Sequence, residues 1–386
     1  MQNFNFHNPT HIIFGKDRLS ELNKLVPQNA KVLIAFGGGS IKKFGTFDKV
    51  VDALKDREII EFGGIEPNPQ FNTLMKAVNV VKNEKIDFIL AVGGGSVIDG
   101  VKFIVMAAKY DGNDPERIFL KGAASTGVKE VVSYGTVLTL PATGTEMNAN
   151  SVISYKTGKY PFSTPLVYPI FSILDPTLTH SLPKKQVANG VVDAFVHVME
   201  QYMTYPVDGR FQDRTAEGIL TSLIEIGKKT IDEPEDYDAR ANLVWCATMA
   251  LNGVIGSGVP QDWATHQLGH EITAFYGVDH AQSLAVILPT MMDVRREQKK
   301  DKLIQYADRV WNISEGTTDE IIDKVIAQTR EFFESLNVKT RLSDYGIPAN
   351  GIDQMVKGLE EKGSTSISER GDLTLDISRK IFEMSL

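Results

Sequence analysis

The sequence predicts an α/β plus all-α protein, in which a parallel sheet flanked by helices is followed by a helical domain. Three observations lead to this prediction. Up to about residue 180, short β-branched runs that end at glycine or proline alternate with amphipathic stretches. From about Pro183 onward the strand signal fades, and long helical patterns follow one another. The length of 386 residues suits about two domains, and a hydrophobic content of 42% is enough to fill their cores.

Five apolar runs in the first half are predicted to be strands, because they are rich in β-branched residues and stop at turn-forming residues. These runs cover residues 31–36, 58–62, 88–92, 137–140 and 170–174. Helical spacing of apolar residues marks 72–84 and 97–110 between them. Strands that alternate with helices are typical of a parallel sheet covered on both faces, so we expect a Rossmann-like domain over residues 1–180.

The second half carries five long stretches with apolar residues at three-to-four spacing and many good helix formers. They cover residues 187–202, 211–228, 237–251, 262–275 and 320–336. The sequence therefore predicts an all-helical domain over residues 181–386. No low-complexity linker separates the two domains. We therefore expect a substantial interface between them, where ligand sites tend to lie.

The charge balance and the cysteine count exclude several classes of function. With 41 Lys+Arg against 49 Asp+Glu the net charge is −8, which argues against nucleic acid as a partner, because phosphates need a clustered basic face. The basic pairs at 295–296 and 299–300 are interpreted as a solvated helix end. Cys246 is the single cysteine, so intrachain disulfides and cysteine-based metal clusters are excluded. Without a signal-like start or an apolar run of about 20 residues, we expect a cytoplasmic protein with no membrane contact.

Two glycine-rich loops each follow a predicted strand and precede a helical segment. The loops are Gly37-Gly38-Gly39-Ser40 and Gly93-Gly94-Gly95-Ser96. Successive glycines let the backbone approach a phosphate closely, and a following helix N-terminus offers free N–H groups. Neither loop has the GxGxxG spacing of the dinucleotide fingerprint or the Lys-Ser/Thr pair of a P-loop, so a tight structural turn stays open as the alternative. Because the pattern occurs twice, we favour phosphate binding.

The residues after the first loop favour NADP(H) over NAD(H) as the cofactor. NAD sites usually place a carboxylate beside the adenosine ribose, where it binds the 2′-hydroxyl. Here Gly39 and Ser40 are followed by Lys42 and Lys43, and no acid occurs before Asp48. Neutral donors beside two lysines suit a 2′-phosphate better. The alternative is that both lysines merely solvate a helix.

The strongest chemical signal is a set of histidine and aspartate residues in the second half. Three of the seven histidines, His266, His270 and His280, fall in one short stretch. Asp193 and His197 are four residues apart on one face of an otherwise apolar helix. A buried carboxylate beside an imidazole needs a partner, and a cation is the simplest one. Three imidazoles and one carboxylate suit zinc or iron(II). The predicted ligands of one divalent metal are Asp193, His197, His266 and His280.

A zinc peptidase is a competing interpretation of the same segment. The run His266-Gln267-Leu268-Gly269-His270 is similar to the H-E-x-x-H motif, in which the glutamate is the general base for a metal-bound water. Gln267 stands in the place of that glutamate and cannot take a proton. The peptidase hypothesis is therefore disfavoured.

Further motifs in the chain match a single family. Its first signature is present in Ser172-Ile173-Leu174-Asp175, Pro183, Ala188-Asn189-Gly190 and Asp193-Ala194-Phe195, and closes at Glu200. Other matching segments are Asn5-Phe6-His7-Asn8-Pro9-Thr10, Phe14-Gly15-Lys16, Glu66-Pro67-Asn68-Pro69, Gly93-Gly94-Gly95-Ser96-Val97-Ile98-Asp99 and Leu140-Pro141-Ala142-Thr143-Gly144-Thr145-Glu146. With these motifs the chain resembles the iron-containing (group III) alcohol dehydrogenases, in their branch of butanol dehydrogenases and NADPH-dependent aldehyde reductases.

The resemblance implies a ligand set, a cofactor site and an assembly. The four predicted ligands would hold the metal, with His270 nearby but unligated. A cleft between the domains would hold the nicotinamide beside the metal, and the protein would be a homodimer. The positions that match cofactor-contacting residues of the family are Gly37, Gly38, Gly39, Ser40, Asn68, Gly94, Gly95, Ser96, Asp99, Thr139, Thr143, Asn148, Lys159 and Leu178. Gly39 stands where NAD-preferring relatives carry aspartate, in agreement with the charge pattern of the loop.

The predicted function is reversible hydride transfer between NADP(H) and a primary alcohol or aldehyde, over a broad and short-chain aliphatic range. The metal, zinc or iron(II), would act as a Lewis acid on the substrate oxygen. His270 is the candidate catalytic residue, either as a proton relay to solvent or as a group that orients the site. A metal-dependent hydrolase or a lyase on the same scaffold stays as the alternative, and a requirement for nicotinamide distinguishes them.

Overall fold

A computed structural model, which describes residues 1–156 and 158–386, contains ten strands and fifteen α-helices in the described part of the chain. The strands are β1 (His11–Phe14), β2 (Lys31–Phe36), β3 (Glu58–Phe62), β4 (Phe88–Gly94), β5 (Ser133–Leu140), β6 (Asn150–Tyr155), β7 (Gly158–Ser163), β8 (Phe171–Leu174), β9 (Ser366–Ile367) and β10 (Leu373–Thr374). The helices are α1 (Leu22–Leu25), α2 (Ser40–Lys43), α3 (Thr46–Ala53), α4 (Phe71–Asn83), α5 (Gly95–Ala107), α6 (Arg117–Leu120), α7 (Lys184–Tyr202), α8 (Arg210–Asp232), α9 (Tyr237–Ala250), α10 (Ala264–Tyr276), α11 (His280–Val294), α12 (Lys300–Trp311), α13 (Thr318–Ser335), α14 (Ile352–Glu361) and α15 (Leu375–Met384).

Six of the strands form a parallel sheet in the order β1-β8-β5-β4-β2-β3. In its centre β2 pairs with β4, with Leu33 opposite Ile89 and Ile34 opposite Leu90. Leu33 and Ile89 pack into one apolar layer, whereas Ile34 and Leu90 pack into the layer on the other face. The continuous apolar runs therefore form central strands, because a parallel sheet is covered on both sides.

The predicted strands of the first half are all present, and the predicted fold class is confirmed. The strand β5 begins at Ser133, earlier than the expected residue 137. The sequence prediction missed the antiparallel pair β6–β7, which lies outside the main sheet. Its residues mix polar and apolar types without a continuous buried run, so the pattern that found the central strands does not mark it.

The sheet order brings the predicted cofactor segments to one edge. Because β5, β4 and β2 are parallel neighbours, their carboxyl ends lie side by side. The loop 37–40 follows β2, the start of α5 follows β4, and residues 141–148 follow β5. The carboxyl edge of a parallel sheet is the usual place for a ligand in this class of fold.

The described residues divide into two compact units. An α/β unit comprises His7–Leu182 and Glu235–Val244. A helical unit comprises Met1–Phe6, Pro183–Pro234 and Trp245–Leu386, and also contains the short β9–β10 pair. The division at residues 180 and 181 stays a prediction. Among the residues that the structure describes, none of the helices combines the length and the apolar character that a membrane span needs.

Four helices of the second half were not expected from the sequence. They are α11, α12, α14 and α15. In α11 the signal is masked by Pro289, which lies inside the helix, whereas an interior proline usually ends one. The other three are amphipathic helices of ten or twelve residues, close to the length at which pattern alone is ambiguous.

The interpretation of the basic pairs near residue 295 as a solvated helix end is wrong. Arg295 and Lys299 are only 3% and 4% exposed. The guanidinium of Arg295 lies 2.6 Å from the carboxylate of Asp372. The ammonium of Lys299 lies 2.6 Å from Asp262 and 3.0 Å from Glu369. Carboxylates distant in the sequence compensate both buried charges, so the local charge run does not reveal the burial.

Candidate functional site

One face of α7 carries three titratable side chains in an otherwise apolar, buried helix. Asp193, His197 and Glu200 follow one another at spacings of four and three residues, so they share that face. Their exposures are 2%, 4% and 3%. Groups buried to this extent lose the solvation of water and need polar or charged partners inside the protein.

Imidazoles from α10 and α11 converge on this face. The ring of His266 lies 4.8 Å from the ring of His197 and 5.1 Å from the ring of His280, centroid to centroid. The Nε2 atom of His280 lies 3.6 Å from Oδ1 of Asp193. The Nδ1 atom of His197 lies 3.8 Å from Oδ2 of the same carboxylate. The structure thus brings the four predicted metal ligands together.

This group of side chains fits a divalent cation. Donor atoms of Asp193, His266 and His280 all lie within 4.8 Å of one another. Among the described residues Oδ1 of Asp193 is buried and has no hydrogen-bond partner. Around a tetrahedral zinc ion, ligand atoms lie about 2.0–2.2 Å from the metal and hence about 3.5 Å from each other. The separations from the Asp193 carboxylate are longer than hydrogen bonds and close to this value.

Glu200 orients one of these imidazoles. Its Oε1 atom accepts a hydrogen bond of 2.9 Å from the backbone N–H of His266. Its Oε2 atom is hydrogen-bonded to Nδ1 of the same residue. Burial raises the pKa of the Glu200 carboxyl well above its usual range. Because Nδ1 is engaged by Glu200, Nε2 of His266 is the atom left to face the other ligands.

A buried ion pair holds the start of α10, from which His266 projects. The backbone N–H of Asp262 donates to the carbonyl of Glu200 at 2.8 Å. Its Oδ1 atom accepts from the N–H of Ala264 at 3.1 Å, at the first turn of the helix. Lys299 donates to the other oxygen and compensates its charge. This arrangement explains why Lys299 is buried and fixes α10 against α7.

His270, the predicted catalytic residue, lies beside the group rather than within it. Its ring centroid is 6.1 Å from that of His266 and 5.2 Å from that of His280. The side chain is partly exposed, unlike His197. The geometry therefore permits contact with both solvent and the site, and a proton relay stays a prediction.

The two glycine triplets of the α/β unit have different structural roles. A Cβ atom added at Gly38 or Gly39 would meet nothing within 4 Å, and Gly39 has a φ of +95°. The backbone of the first loop is therefore openly accessible. In the second loop an added Cβ would come within 2.9 Å of Leu140 at Gly94 and within 2.7 Å of Thr143 at Gly95. Those glycines allow β4 to pack closely against the end of β5, and α5 against the segment that follows it.

The remaining predicted cofactor positions lie around this sheet edge. Asn68 adopts a φ of +58°, and its backbone N–H donates to Oγ of Ser96 at 3.2 Å. In the described part of the chain, Gly94 at the N-cap of α5 gives the first turn no side-chain cap, and the free N–H groups of that turn lie at the same edge. Thr139 is the penultimate residue of β5, Lys159 lies in β7, and Leu178 lies in the turn after β8.

Asp99 and the buried Lys102, which are joined through Thr145, anchor the segment that carries Thr143 and Asn148. Lys102 is fully buried, and its ammonium donates to Oγ1 of Thr145 at 2.6 Å, Oδ1 of Asn148 at 2.9 Å and the carbonyl of Asn150 at 2.7 Å. The carboxylate of Asp99 accepts from Thr145 at 2.6 Å and from the N–H of residue 152 at 2.9 Å. Burial lowers the pKa of Lys102 to about 8, and burial raises the pKa of Asp99.

Lys102 is not among the residues predicted from the sequence, and Glu200 was recognised only as the last residue of a family signature. For Glu200 a usable signal was its position three residues after His197 on the same face of the helix. For Lys102 no local signal exists, because all its acceptors are more than forty positions away in the chain.

Comparison with known proteins assigns the family. The model for "Iron-containing alcohol dehydrogenase" matches residues 9–176, and that for "Fe-containing alcohol dehydrogenase family, C-terminal" matches residues 187–366. The chain is 57% identical over 386 residues to the NADPH-dependent aldehyde reductase YqhD of Escherichia coli (strain K12), with 99% of each chain covered. The chain belongs to the iron-containing alcohol dehydrogenase family.

Solved structures of this family have the same fold. The substrate- and cofactor-free form of the aldehyde reductase YqhD from E. coli superposes with a TM-score of 0.94 at 55% identity, with 100% of both chains covered. The NADH-dependent butanol dehydrogenase A of Thermotoga maritima gives a TM-score of 0.94 at 34% identity, covering 100% of this chain and 99% of that one. The resemblance to this alcohol dehydrogenase family is confirmed.

We predict that replacing Lys102 with methionine destabilises the segment after β5. The change removes the donor from three buried acceptors and removes the cation near Asp99. We expect it to lower the free energy of unfolding by about 3–5 kcal/mol. Urea denaturation and hydrogen exchange of residues 143–152 measure the effect. The matched control is Lys109→Met, because that ammonium is 3.7 Å from Glu130 and its side chain is 44% exposed. Equal unfolding midpoints and equal exchange in the two variants would contradict the anchoring role.

Proposed function

We propose that this chain is a metal-dependent, NADP(H)-linked alcohol dehydrogenase or aldehyde reductase. It transfers hydride reversibly between the nicotinamide cofactor and a primary alcohol or aldehyde of broad, short-chain aliphatic range. The observation that carries the proposal is the convergence of one buried carboxylate and three imidazoles in a chain of the alcohol dehydrogenase family. The E. coli relative, which is named an NADPH-dependent aldehyde reductase, supports both the cofactor and the substrate class in this proposal.

In this proposal the ligands of one divalent metal, zinc or iron(II), are Asp193, His197, His266 and His280. The bound metal would supply Lewis acidity toward a carbonyl or alcohol group. The Asp193 carboxylate would offset part of the positive charge of the metal. Asp193 and His197 lie on a buried, otherwise apolar helix. Glu200, bonded to Nδ1 of His266, turns Nε2 of that ring toward the other ligands. These groups are positioned by α7, α10 and α11.

NADP(H) is proposed to bind along the carboxyl edge of the parallel sheet. The bound cofactor would supply or accept the hydride. Open backbone at Gly38 and Gly39 and the uncapped first turn of α5 suit phosphate groups. The proposed contacts are Gly37, Gly38, Gly39, Ser40, Asn68, Gly94, Gly95, Ser96, Asp99, Thr139, Thr143, Asn148, Lys159 and Leu178. Asp99 and Asn148 also stabilise the segment after β5, because Asn148 accepts a hydrogen bond from Lys102 and Asp99 accepts one from Thr145.

His270 is proposed as the catalytic residue that moves the alcohol proton. An imidazole nitrogen can accept this proton and release it to solvent, because the side chain is partly exposed and its ring lies near His280. A purely orienting role is the alternative. The homodimer, the cytoplasmic location and the domain division at residues 180 and 181 belong to the same proposal.

The activity is tested by mixing metal-replete protein with NADPH and a series of short aliphatic aldehydes, and by following the nicotinamide absorbance. We expect aldehyde-dependent oxidation of NADPH that is lost when the metal is removed with a chelator and restored by zinc or iron(II). Absence of oxidation with every aldehyde would contradict the proposed function. Turnover of a substrate without nicotinamide would instead favour the hydrolase or lyase alternative.

The cofactor preference is tested by comparing Gly39→Asp with Gly39→Asn. Both variants place a side chain at a φ of +95°, so they share the backbone strain and differ in charge. We expect the aspartate variant to bind NADPH at least about tenfold more weakly than the asparagine variant, because like charges repel the 2′-phosphate. NADH binding should be equal or tighter in the aspartate variant. Equal NADPH-to-NADH ratios in the two variants would refute the assignment of this loop.

A further inference from the structure

The two lysines after the first glycine loop differ in their partners. The ammonium of Lys42 is hydrogen-bonded to the carboxylate of Glu61 and lies 4.6 Å from the ring centroid of Phe47. Lys43 lies 5.2 Å over the ring of Phe44, and among the described residues it forms no ion pair with a carboxylate. Only Lys42 therefore has its charge compensated by an acid of the same unit.

Glu61 lies next to the glycine loop although it is distant from that loop in the sequence. It belongs to β3, the edge strand of the sheet, opposite Ile34 of β2. The turn that follows β3 is bonded to the loop, since the N–H of Gly64 donates to the carbonyl of Gly37 at 3.0 Å. The side chains of Lys42 and Glu61 are 46% and 45% exposed, so a ligand in solution can reach both.

We propose that Glu61 is a specificity-determining residue that restrains the preference for NADPH over NADH. This inference rests on the proposed function, in which NADP(H) binds at the Gly37–Ser40 loop. To contact a 2′-phosphate, the Lys42 ammonium must either break its ion pair with Glu61 or bind the carboxylate and the phosphate at the same time. The carboxylate left beside the phosphate then repels it. NADH presents a neutral hydroxyl at that position and leaves the ion pair intact.

The expected size of the effect follows from the exposure of the pair. An exposed ion pair changes an equilibrium constant by at most about fivefold, and repulsion between the carboxylate and the phosphate adds a similar, salt-screened factor. Removal of the charge on Glu61 should therefore change NADPH affinity by a few-fold rather than by orders of magnitude. The change should shrink at high ionic strength, because screening acts on both contributions.

The test measures equilibrium binding of NADPH and NADH to the metal-replete protein by cofactor fluorescence at low salt. Glu61→Gln is expected to bind NADPH about three- to tenfold more tightly, with NADH affinity unchanged. Glu58→Gln is the matched control, since Glu58 starts the same strand and pairs with Lys31 at 2.9 Å. Adding Lys42→Met to Glu61→Gln should abolish the gain.

Each outcome of this test has a defined meaning. A gain confined to NADPH and to the Glu61 variant supports the inference. Equal changes for the two nucleotides, or an equal gain in Glu58→Gln, overturn it and leave NADP(H) binding intact. If the wild-type protein binds neither nucleotide, the proposed function fails and the inference fails with it.

Discussion

The helical unit is built around a buried carboxylate, that of Asp193. Asp193 lies in the middle of an apolar helix, near the imidazoles of His197, His266 and His280, and among the described residues its Oδ1 atom has no hydrogen-bond partner. A charge in this position is expensive unless it is compensated. In the proposed site a divalent cation would compensate it and would also bind the nitrogen atoms that converge there. Much of the surrounding structure serves this arrangement, because Glu200 orients His266 and the Asp262–Lys299 pair fixes the start of α10.

The α/β unit contributes a sheet edge on which backbone groups are accessible. Its two glycine triplets look alike in the sequence, yet the structure gives them different tasks. The first leaves open backbone, and the second lets α5 pack against the segment that follows β5. Asp99 and Lys102 hold that segment in place through hydrogen bonds to Thr145 and Asn150. The position of this segment therefore depends on the fully buried Lys102 as well as on residues at the surface.

Sequence patterns predicted the elements whose signal is local. The central strands β2 and β4 were predicted because their apolar runs are continuous, and α7 because its spacing is helical. The predicted ligands converge because residues four apart on a helix share a face. Features that depend on distant partners were missed: the burial of Arg295 requires Asp372, and the role of Lys102 requires acceptors from another segment. Pro289 hid α11 because local rules treat an interior proline as a stop.

The most direct test is a calorimetric titration of metal-free protein with zinc and with iron(II), which measures the affinity and the number of metal sites per chain. The account predicts a single tight site per chain that Asp193→Asn weakens by at least about 100-fold, whereas His270→Gln leaves the affinity within a few-fold of wild type. X-ray absorption of the loaded protein should then show nitrogen and oxygen donors only. Absence of a tight site, or equal losses in the two variants, would contradict the claim that Asp193 and its imidazole partners exist to hold a metal ion.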